Sequence, residues 1–126
     1  MGYIKKRVRQ PMDPEKGKAG DVPGHLRFIR SLECCACLAS NHGSTTKVEA
    51  HHVRANLPPD EKAGLGEKPS DWFAVALCRD HHGEIHNHGQ RTFEARYKIT
   101  LLDIAADAWR QSPAGIRYRR EREVKE

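Results

Sequence analysis

The feature that most constrains this chain is a pair of short cysteine and histidine groups that lie far apart in the sequence. Two residues separate Cys34 from Cys37, and the same gap separates Cys78 from His81. Zinc prefers a closed tetrahedron of thiolate and imidazole ligands, which two such pairs supply once folding brings them together. We therefore predict a structural Zn²⁺ site formed by Cys34, Cys37, Cys78 and His81. Cys35 is an alternative ligand in place of either neighbour, although the two-residue gap favours Cys34 and Cys37.

The amino-acid composition agrees with a fold that a metal site helps to stabilise. Of the 126 residues, 37% are hydrophobic and 6% are aromatic, which predicts a single domain with a small core. The tight grouping of the cysteines favours metal binding over disulfides. The alternative to a metal site is a group of reduced cysteines that are buried in the core. A formal net charge of +5 favours a polyanionic partner such as nucleic acid.

The distribution of residue types divides the chain into three parts. Residues 1–23 are rich in Lys, Arg, Gly and Pro, which predicts a flexible basic arm that contacts phosphates or else a solvated tail. Residues 24–112 are predicted to form the folded domain, and residues 113–126 a charged tail that is either a solvated helix or disordered. The chain lacks the apolar stretch of a signal peptide or a membrane span, so we expect an intracellular protein with no membrane partner.

The hydrophobic pattern predicts an α+β fold with a β-hairpin. Residues 47–53 form a short, partly β-branched run and residues 72–77 a continuous apolar run of strand length, and we interpret the two as antiparallel strands. The prolines and glycines between them predict a long loop over residues 54–71 at the head of the hairpin. A short amphipathic helical turn is predicted over residues 25–32, ahead of the first cysteine group.

Further helices are predicted after the second strand. Asp80 is a suitable N-cap for the first of them, although Gly83 weakens it. The runs RTFEARYKI and LLDIAADAWRQS have helical spacing of apolar residues, with Thr100 and Asp103 as a cap pair for the second. We expect that helix to end at Pro113 and Gly115.

A second group of histidines predicts a separate metal site. His82 and His86 are four residues apart, so they share one face of a helix and can approach one ion. Neighbouring residues of a strand point in opposite directions, so only one of His51 and His52 can join them. The remaining histidine is then free for proton transfer. The alternative is that these are solvent-exposed or core histidines without function.

Taken together, the motifs CCAC, VEAHHVR and ALCRDHHGEIH resemble the HNH (ββα-metal) nuclease superfamily. Their layout is similar to that of phage and prophage HNH proteins, among them the phage recombination enhancement nucleases. The matching stretch runs from about residue 34 to residue 89. The resemblance implies a small zinc-stabilised domain in which a zinc knuckle brackets a β-hairpin and the hairpin leads into a metal-binding helix. The helical spacing of apolar residues after the second strand adds further C-terminal helices to this domain.

The resemblance also implies roles for individual residues. His51 matches the first ligand of the catalytic metal, and His82 with His86 match the ligands on the helix. His52 matches the general base. The middle residue of the family pattern is usually Asn, but Asp71 stands in that neighbourhood here, and its charge departs from the pattern. Asp71 is therefore a candidate catalytic-site residue that fixes the loop by hydrogen bonding.

The function implied by the resemblance is metal-dependent hydrolysis of phosphodiester bonds in nucleic acid, with DNA as the expected substrate. A base must activate water and a divalent cation must stabilise the charge that develops on the phosphate. Mg²⁺, Mn²⁺, Ni²⁺ and Zn²⁺ are all candidates for that cation. Arg54 and Arg79 lie near the histidines and are candidates for phosphate contacts. The alternative function is a non-catalytic, zinc-dependent nucleic-acid-binding module.

Overall fold

The structure is a computed structural model that describes residues 21–55, 57 and 69–125. The predicted basic arm up to residue 20 and most of the predicted loop, residues 56 and 58–68, lie outside the described residues. The elements in chain order are α1 (Pro23–Arg30), α2 (Cys35–Ala39), β1 (Val48–His52), a 3₁₀ turn (Asp71–Phe73), β2 (Ala74–Cys78), α3 (Arg79–His88), α4 (Gln90–Tyr97), α5 (Leu101–Gln111) and α6 (Pro113–Lys125). The predicted α+β class is confirmed.

The two strands form an antiparallel hairpin, as the sequence predicts. Val48 pairs with Cys78 at one end, and His52 pairs with Ala74 at the other. The second strand begins later than expected, because the chain at Trp72 and Phe73 forms the 3₁₀ turn instead of extended backbone. The backbone N–H of Val53 still donates to the carbonyl of Phe73 at 2.8 Å, so the turn remains attached to the hairpin.

Alternate side chains of the hairpin face two different helical layers. On one face, the strands pack on α1 and α5 through Val48, Ala50, Ala74, Ala76, Ile29 and Ala108. On the other face, Val75 and Leu77 belong to the larger core cluster, which also contains Ile85 of α3 and Phe93 of α4. The sheet is therefore covered by helices on both sides, and α3 crosses the face on which His51 lies.

Helix α3 begins earlier than predicted. Its N-cap is Cys78 rather than Asp80, because β2 runs directly into the helix without a connecting loop. The first helical amides are satisfied from the strand side: the N–H of Arg79 donates to the Lys47 carbonyl at 2.8 Å, and that of Asp80 donates to the Thr46 hydroxyl at 3.3 Å. The side chain of Asp80 is not needed as a cap and is exposed.

The predicted cap pair of α5 is only partly correct. Thr100 is the N-cap, but its side chain makes no capping hydrogen bond. The N–H of Leu101 instead donates to the Glu94 carboxylate at 2.8 Å, so an acid from the preceding helix satisfies this end.

The C-terminal segment is a helix with a buried side. Helix α5 ends at Gln111 as expected, but Pro113 is the first residue of α6 rather than a terminator, since proline fits the first turn of a helix. Ala114 and Tyr118 are buried in the larger core cluster. The expectation that Gly115 ends helical structure is therefore wrong. Within the residues that the structure describes, no helix is both long and apolar enough to cross a membrane.

Candidate metal centre

The four predicted zinc ligands lie together. The Nδ1 atom of His81 is 3.4 Å from the sulfur of Cys34, 3.5 Å from that of Cys37 and 3.3 Å from that of Cys78. The sulfurs of Cys37 and Cys78 are 3.9 Å apart. A tetrahedron with metal–sulfur bonds of about 2.3 Å and a metal–nitrogen bond of about 2.0 Å has edges of about 3.5–3.8 Å. These four distances are close to the edges of such a tetrahedron, so the cluster could hold one zinc ion.

The local backbone structure directs each of these four side chains toward the centre of the cluster. Cys34 is the N-cap of α2, and its sulfur accepts the N–H of Cys37 at 3.4 Å, so the helix turn brings both thiols to one side. The N–H of Cys34 donates to the Ser44 hydroxyl at 2.8 Å, which fixes the loop after α2. Cys78 ends β2 and His81 lies in the first turn of α3, one helical turn later.

Cys35, the alternative ligand, is not part of this cluster. It is the first residue of α2 and packs against the core as a partly buried side chain. Burial and the neighbouring sulfur of Cys34 raise the pKa of its thiol to about 12, so it stays protonated. Of the three neighbouring cysteines, Cys34 and Cys37 are therefore the candidate metal ligands, and Cys35 is not.

The thiols of the cluster differ in how easily they lose a proton. Burial raises the pKa of Cys37 to about 11. Burial acts in the same direction on Cys78, but hydrogen bonds from the His81 backbone, from the hydroxyls of Thr46 and Thr45 and from the His81 side chain lower its pKa to about 6. Zinc binds thiolates, so Cys78 is prepared for ligation and Cys37 loses its proton on metal binding.

The second predicted group is also assembled. The ligand atoms of His51, His82 and His86 all lie within 4.8 Å of one another. The ring centroid of His51 is 5.2 Å from that of His82 and 5.7 Å from that of His86. The ring centroids of His82 and His86 are 4.7 Å apart. His51 reaches the helix because it lies on the strand face that α3 covers. These three imidazoles could hold one metal ion.

Burial keeps His51 in the neutral form that a metal ion needs. Burial lowers the pKa of His51 to about 4, and the positive potential of His82, His86 and Arg54 acts in the same direction. The imidazole of His51 is therefore neutral at neutral pH, which is the form that binds metals.

Glu49 is a site residue that the sequence reasoning missed. Its carboxylate accepts a hydrogen bond from Nδ1 of His82 at 2.7 Å, and Nε of Arg79 lies 3.6 Å from the other carboxylate oxygen. The bond fixes the His82 ring and leaves the Nε2 lone pair available, as carboxylates commonly do for histidine ligands. The two-residue period of a strand could have indicated Glu49, because Glu49 is two residues before His51 and lies on the same face of β1.

His52 lies on the opposite face of β1 and contacts Asp71. The His52 Nε2 atom is 2.8 Å from one Asp71 carboxylate oxygen, and the other oxygen accepts the backbone N–H of Val22 at 2.7 Å. Asp71 is 1% exposed, so His52 contacts a buried carboxylate. The sequence placed Asp71 in the loop as a hydrogen-bonding residue, and the structure brings it to His52. Arg54 and Arg79 are exposed.

These elements define an α+β protein with a two-stranded antiparallel hairpin and a Cys34, Cys37, Cys78 and His81 cluster that could hold a structural metal such as zinc. The chain belongs to the family described as "Protein of unknown function (DUF968)", which matches residues 10–107. That range includes both histidine and cysteine groups and Asp71. No curated protein and no solved structure matches the chain.

Proposed function

We propose that this protein is a metal-dependent nuclease of the HNH type that hydrolyses phosphodiester bonds, with DNA as its substrate. One arrangement carries the proposal: β1 ends in two adjacent histidines with different partners. His51 joins His82 and His86 within 4.8 Å, whereas His52 pairs with the buried carboxylate of Asp71. The strand thus contributes one histidine to the candidate metal-binding group and the next histidine, on its opposite face, to the pair with Asp71.

His52 has the chemistry of a general base in this arrangement. Its Nε2–H donates to Asp71, so the lone pair lies on Nδ1 and can accept a proton from an attacking water. The negative charge of Asp71 stabilises the imidazolium that forms and holds the ring in one orientation. Asp71 therefore substitutes for the Asn of the HNH pattern as a residue that positions the base.

The three other histidines would hold the divalent cation, which when bound supplies positive charge to the phosphate and to the departing oxygen. Glu49 orients His82 for this task, and the neutral state of His51 favours ligation. The exposed guanidinium groups of Arg54 and Arg79 would contact phosphates that flank the cleaved bond.

We expect His52→Ala to reduce cleavage by about 10²–10⁴-fold, because it removes the base, while zinc content and DNA affinity stay unchanged. His82→Ala should instead shift the metal dependence, with activity partly restored by excess metal. The measurement is cleavage of supercoiled and linear DNA across Mg²⁺, Mn²⁺, Ni²⁺ and Zn²⁺, with RNA in parallel.

The matched control is His88→Ala, since His88 is an exposed histidine at the end of the same helix and lies outside both groups. If His52→Ala cleaves at the parental rate, the assignment of the base is wrong. If the parent binds DNA but cleaves nothing with any metal, the alternative function, a zinc-dependent nucleic-acid-binding module, replaces the nuclease.

A further inference from the structure

The two candidate metal sites share one helix. His81 of the cysteine cluster and His82 of the histidine group are consecutive residues in the first turn of α3, and His86 lies one turn later. Each site also uses the hairpin, through Cys78 at the end of β2 and His51 on β1. The position of α3 on the sheet therefore decides whether either set of donor atoms is assembled.

Little else in the described chain attaches α3 to the sheet. Ile85 is the one buried side chain of α3, and Phe93 is the one buried side chain of α4. A ten-residue helix is marginal in isolation, and Gly83 lowers its helical propensity further. The helix contributes much less apolar burial than the strands that it covers.

The polar contacts of α3 divide into two kinds. The Glu84 carboxylate accepts hydrogen bonds from Tyr97, at 2.6 Å, and from Arg96, which join α3 to α4 but not to the strands. The contacts with the sheet side are the His82–Glu49 bond, the ion pair between Arg79 and Glu49, and the amides at the start of the helix. Helices α3 and α4 are thus bonded to each other, and their polar contacts with the sheet lie mainly at the start of α3, where His81 and His82 are located.

We propose that the two metal sites are thermodynamically coupled through α3, so that occupation of either site strengthens metal binding at the other. Metal binding at the cysteine cluster holds His81 on the hairpin and thereby places His82 and His86 beside His51. The ordering of α3 is then already complete when the second ion arrives. By linkage, a metal on the histidine group must raise the affinity of the cysteine cluster by the same factor.

This inference rests on the histidine metal site of the proposed function, but it does not depend on catalysis. It can therefore be tested by metal binding alone. Co²⁺ is the probe, because coordination by thiolates produces a charge-transfer absorption that coordination by imidazoles does not. The absorption reports occupation of the cysteine cluster specifically, and total bound Co²⁺ reports both sites.

The decisive variant is His86→Ala in the full-length chain, since His86 is an exposed ligand of the histidine group only. We expect Co²⁺ to bind the thiolates about 10-fold more weakly in this variant than in the parent, within the usual range of coupling between sites. The control His88→Ala should titrate like the parent. Alanine has higher helical propensity than histidine, so an effect on helix stability alone would have the opposite sign.

The reciprocal variant is Cys34→Ser, in which we expect a comparable weakening of Co²⁺ binding to the histidine group. Circular dichroism shows whether this variant is folded; if it unfolds, the His86→Ala comparison alone decides. Equal thiolate titrations in the parent and in His86→Ala would overturn the coupling. A single bound Co²⁺ per parental chain would overturn both the coupling and the catalytic metal, whereas two coupled ions without DNA cleavage would overturn only the nuclease proposal.

Discussion

The imidazole of His25 lies wholly inside the protein, at 0% exposure, between aromatic rings. Its ring meets Trp109 edge-on at 4.9 Å and stacks with Phe28 at 6.1 Å. Among the described residues, neither ring nitrogen has a hydrogen-bond partner. Burial lowers the pKa of His25 to about 4, against a smaller opposing effect of the Asp71 charge.

This pKa makes stability depend on pH. Below the ordinary value of 6.5 the unfolded chain gains a proton at His25 that the folded chain does not take up until pH approaches about 4, so stability falls as pH falls through this window. The expected loss from His25 is about 2 kcal/mol between about pH 7 and about pH 5, at roughly 1.4 kcal/mol per unit.

The measurement is urea unfolding of zinc-saturated protein at both pH values, for the parent and for His25→Phe, which keeps a ring in the aromatic contact. The difference between the two pH dependences isolates His25 from other titrating groups. Parallel pH dependences would contradict the assignment.

A second prediction at the residue scale concerns Glu49. Because its carboxylate fixes the ring of His82, Glu49→Ala should weaken metal binding at the histidine group by about 10-fold, at the lower end of the range for such partners. Calorimetric titration of the zinc-saturated protein with Ni²⁺ measures this affinity. Glu121→Ala, which removes an exposed carboxylate on α6, is the control. An unchanged Ni²⁺ affinity in Glu49→Ala would show that His82 does not depend on this bond.

At the scale of elements, the junction of α5 and α6 depends on a glycine. A Cβ atom at Gly115 would lie 1.7 Å from the Trp109 carbonyl oxygen and 3.1 Å from the Ser112 hydroxyl. Ser112 is buried and links the two helices, since its hydroxyl donates to the Trp109 carbonyl and accepts the N–H of Gly115, each at 3.0 Å. The helices approach so closely that no side chain fits.

We therefore expect Gly115→Ala to destabilise the protein by about 2–3 kcal/mol, because backbone atoms would have to move. The matched substitution is Gly83→Ala in α3, where a Cβ atom meets nothing within 4 Å. There alanine should stabilise the helix by up to about 1 kcal/mol. Thermal unfolding of the two variants should give shifts of opposite sign. A loss of stability in both would mean that the open space at Gly83 is misassigned.

At the scale of the whole molecule, zinc is expected to be part of the folding reaction. The cysteine cluster joins the buried strand β2 to α2 and α3, two helices that contribute few other buried side chains. Apparent binding free energies of such sites are on the order of 10 kcal/mol at neutral pH, so chelation of zinc should unfold this part of the chain. Circular dichroism with and without chelator, together with elemental analysis, measures this.

Cys35→Ser is the control for that experiment, because Cys35 lies outside the cluster and should leave zinc content unchanged. A protein that remains fully folded after all zinc has been removed would contradict the structural role of the site.

Much of this architecture was determined by local properties of the sequence. Helices and strands have fixed periods, so the spacing of residues predicts which side chains share a face. This argument applies to the two-residue gaps of Cys34-x-x-Cys37 and Cys78-x-x-His81, to the four-residue gap between His82 and His86, and to the residues of the two strands. For that reason the cysteine cluster, the antiparallel hairpin and the proximity of His51, His82 and His86 could be predicted from the sequence.

Contacts between residues from distant segments depend on the packing of the elements. Asp71 reaches His52 because the 3₁₀ turn carries it to the end of β1, and Glu49 reaches His82 because α3 crosses that face of the hairpin. The same holds for the start of α3 at Arg79 and for the burial of Tyr118, since the partners that stabilise them lie on other elements. Sequence periodicity fixes the direction of a side chain along its own element, but contact between elements depends on how the helices pack on the sheet.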